Sequence, residues 1–174
     1  MKAGATIGLR RGVVVLQPYD DSWNAAYAKE AERLRAALSR DADHLEHVGS
    51  TAVTGLAAKP IIDIALGLAD WTHVAEVTAR LQIIGYSSFG ERGRIGDHFF
   101  ALGPDELRTH YLHVVDWGGA RWNDYLRFRE RLRADGALRD AYGELKRGLA
   151  VKYASDRPAY LVAKEQFISR VLTP

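Results

Sequence analysis

The sequence predicts a chain of the α+β (α/β) class, in which a mixed β-sheet with flanking helices is followed by a C-terminal helical segment. Three observations predict it. The run Ile61–Leu66 is almost wholly apolar, which is typical of a strand covered on both faces. Apolar residues from Trp23 to Leu38 recur at spacings of three and four, as on one face of a helix. Beyond Gly119 the pattern is helical to the end of the chain.

The predicted strands and helices follow one another closely before this helical segment. In chain order they are a strand at Val13–Gln17, a helix from Trp23 to about Arg40, strands at His44–Val48 and Ile61–Leu66, a helix from Trp71 to about Ile84, and strands at Gly85–Phe89, His98–Leu102 and Arg108–Asp116. Asp70 is the predicted cap of the helix that begins at Trp71, and Asp156, followed by Pro158, marks the start of the last helix. We therefore expect one domain, with a sheet core over residues 1–117 and a helical part over 118–174.

The composition is that of a folded, cysteine-free protein. The chain has 174 residues, of which 47% are hydrophobic and 26% charged, and these values exclude a disordered tail. The absence of cysteine excludes disulfides, thiolate metal sites and cysteine nucleophiles. No apolar run approaches the roughly 20 residues of a membrane helix, and the N-terminus lacks an apolar signal core. We expect a soluble cytoplasmic protein that has no membrane partner.

The charge is unevenly distributed along the chain. Residues 1–117 carry 12 Lys/Arg against 15 Asp/Glu, a net charge of −3, whereas residues 118–174 carry 12 against 7, a net charge of +5. A basic C-terminal third beside an acidic body predicts either a cleft for an anionic ligand or a set of solvated helix faces. The excess is small and no zinc-finger or helix-turn-helix pattern accompanies it, so nucleic acid is not an expected partner.

One segment carries most of the chemistry. Gly49 and Ser50 end a predicted strand, where glycine lets the backbone approach a ligand and the following amides suit a phosphate. Twelve residues separate Ser50 from Asp63, enough for a helical turn and a return to a neighbouring strand, so we expect Asp63 beside the same cleft. A carboxylate there suits a magnesium-type cation that bridges to phosphates. The alternative is a tight turn and a buried aspartate paired with Lys59.

Around this segment the chain resembles the GrpB family, also called UPF0157, of the nucleotidyltransferase-like superfamily. The resemblance rests on the runs His47–Val53, Gly55-Leu56 and Lys59–Ile64, and it extends over most of the chain, including His110–Val115. It implies a minimal nucleotidyltransferase-like fold, in which Gly-Ser precedes a strand that bears two carboxylates one residue apart. A later strand supplies a third carboxylate, and together they hold two metal ions that align an attacking hydroxyl with a triphosphate.

The chain departs from that pattern at the second carboxylate. Gly49-Ser50 matches the first element and Asp63 the first carboxylate, but Ala65 occupies the second position. Two cations about 3.5–4 Å apart need several anionic ligands, which Asp63 alone does not supply. Glu46 is one candidate substitute, and a later strand offers His110, His113 or Asp116.

Strand alternation decides among the later candidates. His110 and Asp116 share one face of a regular strand, whereas Tyr111 and His113 share the other. His113 interrupts an apolar run, so we expect it in the cleft. The predicted catalytic residues are therefore Asp63, His113 and Glu46, with Asp63 as the predicted metal ligand for Mg²⁺.

The wall of the cleft is expected to bind phosphate through a loop and a set of cations. The candidate residues are Gly49, Ser50, Thr51, Lys59, Arg92, Arg94, Arg129, Lys146 and Lys164. Lys59 immediately precedes the Asp63 strand, and the two loop arginines could close over a phosphate. Each cation has an alternative interpretation as a solvated surface charge. Trp23, Tyr142 and Tyr160 could stack on a base, although aromatic residues at helical spacing are more often core.

Three functional hypotheses remain open on the sequence. The first is an enzyme that uses Mg²⁺ to transfer a nucleotidyl group from a nucleoside triphosphate to a small acceptor. The second is a non-catalytic module that binds a nucleotide or another phosphorylated small molecule. The third is an enzyme of different chemistry in the same cleft, with histidine as acid and base and no metal pair.

Overall fold

Five strands form one mixed sheet in the computed structural model, which describes residues 6–92 and 94–173. In chain order they are β1 (His44–Val48), β2 (Ile62–Leu68), β3 (Tyr86–Ser88), β4 (Asp97–Leu102) and β5 (His110–Asp116). Their spatial order is β1-β2-β5-β4-β3. β2 and β5 are parallel, and the other neighbouring strands are antiparallel. The mixed sheet confirms the predicted fold class.

Helices cover both faces of this sheet. The helices are α1 (Ser22–Leu38), α2 (Val74–Ile83), α3 (Ala120–Ala134), α4 (Gly136–Lys152) and α5 (Arg157–Leu172). α1 and α2 pack on one face through the main hydrophobic core, in which Leu34 and Leu81 join side chains of β2 and β5. α3 packs on the other face, where Trp122 contacts a smaller cluster. The helical C-terminal segment therefore lies over the face opposite to α1 and α2.

The strand β2 explains why its sequence reads as a continuous apolar run. Ile62, Ile64 and Leu66 are fully buried in the core beneath α1 and α2. Ala65 is equally buried on the opposite face, in the cluster beneath α3. Because successive side chains alternate between faces, Asp63 shares the face of Ala65. A strand that is covered on both faces is mostly apolar, so a polar residue such as Asp63 needs a polar partner or contact with a cavity.

Aspartate caps fix the starts of three helical segments. Asp70 accepts a hydrogen bond from the amide of Thr72 at 3.0 Å, at the start of the short turn Trp71–His73 that leads into α2. Asp156 accepts from the amide of Ala159 at 3.0 Å and starts α5. Both starts were predicted, since aspartate oxygens accept well from the free amides of a first turn. Asp135 caps α4 in the same way.

The predicted strand at Val13–Gln17 is wrong. This segment lies within the described residues, but its ladder is limited to one bridge, in which Gln17 and Ala58 exchange backbone hydrogen bonds of 2.8 and 2.9 Å. Strand preference of β-branched residues reflects packing against neighbouring strands more than backbone preference. Pro18 follows directly and has no backbone N–H that could donate a hydrogen bond to a neighbouring strand.

None of the helices in residues 6–92 and 94–173 has the length and the apolar composition of a membrane-spanning segment.

Candidate functional site

The candidate site is a cavity of about 680 Å³ between the C-terminal helices and the sheet face that carries Asp63. The loop after β1, the strands β2, β4 and β5, and helices α3, α4 and α5 all contribute to its wall. The fold thus brings residues that are far apart in sequence to the wall of one cavity. Its predicted members are Gly49, Ser50, Thr51, Lys59, Asp63, Arg92, Arg94, His113, Lys146 and Lys164.

The loop after β1 lies directly against the Asp63 carboxylate. Val48 pairs with Asp63 across the antiparallel strands, so the chain leaves β1 beside this side chain. Gly49 has φ +70°, and a Cβ added there would lie 2.5 Å from Oδ2 of Asp63. Only glycine accepts both that conformation and that contact without strain. Ser50 is half-buried and lies beside the hydroxyl of Tyr142.

In the turn Ser50–Ala52 that follows, some of the polar groups form hydrogen bonds within the protein. The amides of Ala52 and Val53 donate to the carbonyls of Gly49 and Ser50 at 3.3 and 3.2 Å. The hydroxyl of Thr51 lies 3.0 Å from Nε2 of the buried His47. Two of the amides that the sequence assigned to phosphate are therefore occupied inside the turn.

Three lysines approach the same cavity from different elements. Lys59 precedes β2, Lys146 lies on α4 and Lys164 on α5. Burial, together with the charges of Lys164 and Arg157, lowers the pKa of Lys59 to about 7, against an opposing effect of Asp63. Burial likewise lowers the pKa of Lys146 to about 6, with the charges of Lys164 and Lys59 acting in the same direction. The cavity therefore concentrates ammonium groups that repel one another.

Lys146 is the most deeply buried of these lysines, with 2% of its surface exposed. Its Nζ donates to the carbonyl of Ala57 at 2.5 Å and lies 4.9 Å from the ring centroid of Tyr142. Burial also lowers the pKa of Lys164, against the attraction of Asp63. Asp63 is thus the acid whose charge favours the protonated form of all three lysines.

Arginines complete the cationic wall. Arg94 forms an ion pair with Glu165 of α5 at 2.8 Å. Arg92 lies over the Phe99 ring, 4.8 Å from its centroid, and has a positive φ of 47°, which is rare for a residue with a side chain. The sequence did not single out Arg157, which lines the cavity with a buried Nε that makes no hydrogen bond to the described residues.

The cavity also contains a polar cluster that sequence reasoning found only in part. Nδ1 of His113 lies 2.9 Å from Oδ1 of Asp97, and the hydroxyl of Tyr125 donates to Oδ2 of Asp97 at 2.6 Å. His113 was predicted in the cleft, whereas Asp97 and Tyr125 were missed. The signal that could have found Asp97 is strand alternation, which places it on the same face of β4 as Phe99.

Glu46 and Arg129 are corrections to the predicted site. Neither is among the described residues that line the cavity. They pair with each other instead, with Nη1 of Arg129 2.6 Å from Oε2 of Glu46, and the same Nη1 donates to the carbonyl of His47 at 2.7 Å. A guanidinium buried beneath α3 needs acceptors there, and these two supply them. The ion pair fastens α3 to β1.

The remaining candidates are His110 and three aromatic residues, and only some of them lie in the cavity wall. His110 is on the face of β5 opposite to His113 and lies near Ala26 of α1. Trp23 is fully buried in the core beneath the sheet, away from the cavity. Tyr142 and Tyr160 are almost fully buried but line the cavity. Of the three aromatic candidates, two are therefore placed to contact a ligand.

The donor set around Asp63 does not fit a pair of magnesium ions. Ala65 stands where the resemblance implies a second carboxylate, and Glu46 is held by Arg129. Among the described residues, no cluster of three or more histidine, aspartate or glutamate side chains could hold a metal ion. Three lysine ammonium groups act on Asp63 instead, and a cation site needs several anionic oxygens rather than nearby cations.

The mixed sheet and its flanking helices form a fold that is similar to part of a solved polymerase structure. A structure of Cid1 poly(U) polymerase with bound MgGTP superimposes with a TM-score of 0.52 and 16% identity, over 76% of this chain and 44% of that chain. At this identity the similarity shows the fold alone.

The chain belongs to the GrpB family. The family model described as GrpB protein matches residues 13–173. The glutamate-rich protein GrpB of Alkalihalophilus pseudofirmus is 33% identical over 170 residues, which cover 95% of this chain and 98% of the relative. A UPF0157 protein of Pseudomonas aeruginosa is 39% identical, over 89% of this chain and 64% of that protein. The crystal structure of GrpB from Enterococcus faecalis has a TM-score of 0.75 and 28% identity, over 91% of this chain and 100% of that chain.

Proposed function

We propose that this protein binds a nucleotide or a related phosphorylated small molecule in the cavity, with the phosphate groups among Lys59, Lys146 and Lys164. The observation that carries the proposal is the convergence of these three lysines on one cavity. Lysines so placed repel one another and lose part of their charge at neutral pH. A ligand with several negative charges removes that repulsion, which supplies a driving force for binding.

The loop beside Asp63 contributes a second element of phosphate recognition. Gly49 brings the backbone against the cavity, and Ser50 presents a hydroxyl that can donate to a phosphate oxygen. Arg157 adds a guanidinium whose Nε makes no hydrogen bond to the described residues. Hydrogen bonds between charged groups and phosphate are about twice as strong as neutral ones, so a few such contacts suffice for specific binding.

The rest of the wall supports a ligand that also carries an aromatic group. Several aromatic side chains line the cavity, namely Phe99, Tyr111, Tyr125, Phe128, Tyr142 and Tyr160. Small-molecule sites are mostly apolar and aromatic, with a few placed polar groups, and a planar base stacks well on such a surface. This lining favours a nucleotide over inorganic phosphate.

Binding is expected without magnesium. The lysines supply the positive charge that divalent cations supply in two-metal enzymes, and the donor set around Asp63 does not fit a metal pair. The proposal therefore favours phosphate binding by the protein's own cations over metal-dependent nucleotidyl transfer.

Isothermal titration calorimetry with ATP and GTP, in EDTA and in Mg²⁺, tests the proposal. We expect binding in both conditions, and Lys164→Gln should weaken it by about 10-fold or more, the value of one charge-assisted contact. The matched control is Lys152→Gln, which removes an exposed lysine at the end of α4 and should leave the affinity unchanged. Absence of binding with both nucleotides would contradict the proposal, and so would equal losses in the two variants.

A further inference from the structure

Lys59 is the cavity lysine best placed to react with a ligand. Its side chain is only partly buried, and its Nζ makes no hydrogen bond to residues 6–92 and 94–173. Lys146, by contrast, has 2% of its surface exposed and donates to the carbonyl of Ala57. An amine attacks a ligand only where the ligand can reach it and no other group holds it. Lys59 meets both conditions.

The charges of the cavity wall distinguish Lys59 from Lys164. Their Nζ atoms lie 5.8 and 5.9 Å from the centroid of the Tyr160 ring, so both amines lie close to one side chain. The charged groups that act on Lys59 or on its neighbouring lysines are Lys164 and Arg157 of α5, Lys146 of α4 and Asp63 of β2. Burial lowers the pKa of both lysines, and the next largest effect on Lys59 is repulsion by Lys164. For Lys164 it is the attraction of Asp63, so Lys164 is the better proton donor and Lys59 the better nucleophile.

Lys59 is therefore a nucleophile at neutral pH. Burial and the neighbouring cations lower its pKa to about 7, so about half of the amine is neutral at pH 7. An ordinary lysine, with a pKa of about 10.4, has about one neutral amine in 2,500 at that pH. Only the neutral amine has the lone pair that attacks an electrophile. The reactive fraction of Lys59 thus exceeds that of an ordinary lysine by about 1,000-fold.

We propose that Nζ of Lys59 forms an imine with the carbonyl carbon of a phosphorylated aldehyde bound in this cavity. The inference rests on the proposed function, because Lys146, Lys164 and Arg157 are left to hold the phosphate while the aldehyde reaches Lys59. An aldehyde suits this cavity because it reacts with an amine without a metal pair, for which the described residues offer no ligand cluster. The aromatic lining favours an aldehyde carried on a planar ring.

The step needs no reactant beyond the aldehyde. The lone pair of Nζ forms a bond to the carbonyl carbon, and the π electrons of the C=O bond move to oxygen. A proton transferred from nitrogen to this oxygen gives a carbinolamine. A second proton, from the ammonium group of Lys164 or from solvent, lets the oxygen leave as water, and the lone pair of Nζ forms the C=N bond. The products are water and a protonated imine, whose positive charge Asp63 offsets.

Reductive trapping with pyridoxal phosphate and cyanoborohydride tests the inference on the full chain, at pH 7 and with one probe molecule per chain. Mass spectrometry of the intact protein and of its peptides locates the trapped amine. We expect one pyridoxyl phosphate group on Lys59, formed at least about 100-fold faster than on the exposed Lys152. Lys59→Arg should abolish this label, whereas Lys152→Arg, the matched control, should leave it unchanged. With pyridoxal, which lacks the phosphate, the ratio of Lys59 to Lys152 labelling should fall by about 10-fold.

The pH dependence of the labelling tests the effect of the neighbouring cation. Labelling of Lys59 should rise with pH and reach half its maximum near pH 7, since its pKa is about 7 and only the neutral amine reacts. Lys164→Gln removes a cation, so this midpoint should move to higher pH while the label stays on Lys59. An unmoved midpoint, a wild-type midpoint near about pH 10, or equal labelling of Lys59 and Lys152 would overturn the inference.

ATP separates a failure of this inference from a failure of the proposed function. Binding of ATP in calorimetry without a label on Lys59 overturns the imine alone. Absence of both nucleotide binding and phosphate-dependent labelling overturns the proposed function as well. Saturating ATP should slow the labelling of Lys59, because the two ligands compete for one cavity. Labelling that ignores bound ATP would place the aldehyde outside the cavity and would also overturn the inference.

Discussion

Raising the pH is expected to weaken ATP binding, because the lysines of the cavity must be charged to hold phosphate. In the free protein the pKa is about 7 for Lys59 and about 6 for Lys146. Phosphate contacts stabilise the protonated amines, so the pKa values rise in the complex and binding takes up protons. The two lysines together should take up about two protons at pH 8 and about a tenth of a proton at pH 5.

The affinity follows from this proton uptake. With an uptake near two protons, the Kd should rise by up to about 100-fold between pH 8 and pH 9 and change little below pH 5.5. Calorimetry in two buffers of different ionisation enthalpy measures the protons directly at each pH. Lys146→Met should reduce the uptake at pH 8 by about one proton, since that side chain no longer titrates. Lys152→Met, which removes an exposed lysine, is the control.

The number of protons taken up at pH 8 decides whether the lysines bind phosphate. Uptake of less than about half a proton at pH 8, with ATP bound, would mean that phosphate does not contact lysines of lowered pKa. An unchanged uptake in Lys146→Met would assign the protons to other groups. Either result would remove the electrostatic basis of the proposed function.

Three further predictions concern the loop and the ion pair beside the cavity. Gly49→Ala should lower the free energy of unfolding by about 2–4 kcal/mol in chemical denaturation, since its Cβ meets Asp63 at a positive φ, and a loss below about 0.5 kcal/mol would contradict the close contact. Arg129→Met should lower the free energy of unfolding by about 1–2 kcal/mol, because the buried carbonyl of His47 loses its donor while the partly exposed Glu46 can be solvated. The ATP affinity should not change, and a loss of affinity would show that Arg129 contacts the ligand. Ser50→Ala should weaken ATP binding by about 3–10-fold, with only a small decrease in melting temperature from the lost contact with Tyr142, and a large thermal destabilisation would indicate a structural turn instead.

Periodicity predicted the elements whose signals are local. The apolar run of β2, the alternation of β5 and the caps at Asp70 and Asp156 depend on neighbours within a few residues, and each was found. The strand at Val13–Gln17 was wrong because strand formation also requires a partner, which local composition does not reveal.

The same distinction applies to the site residues: those positioned by nearby residues in the chain were predicted, and those positioned by distant residues were not. The position of Asp63 beside Gly49 and Ser50 followed from the length of the connection between two strands. Arg129 was chosen for its charge, but its neighbours Glu46 and His47 come from a strand more than 80 residues earlier. Strand alternation could have placed Asp97 on the cavity face of β4, but its contact with His113 depends on the register between β4 and β5, which the sequence does not reveal.

The most direct test of phosphate binding by the cavity lysines is a crystal structure of the chain with 8-bromo-ATP in EDTA, in which anomalous scattering locates the base. The account predicts the nucleotide in the cavity, with phosphate oxygens about 2.7–2.9 Å from the ammonium groups of Lys59, Lys146 or Lys164. A nucleotide bound elsewhere on the protein, or one whose phosphates point away from these lysines into solvent, would contradict it.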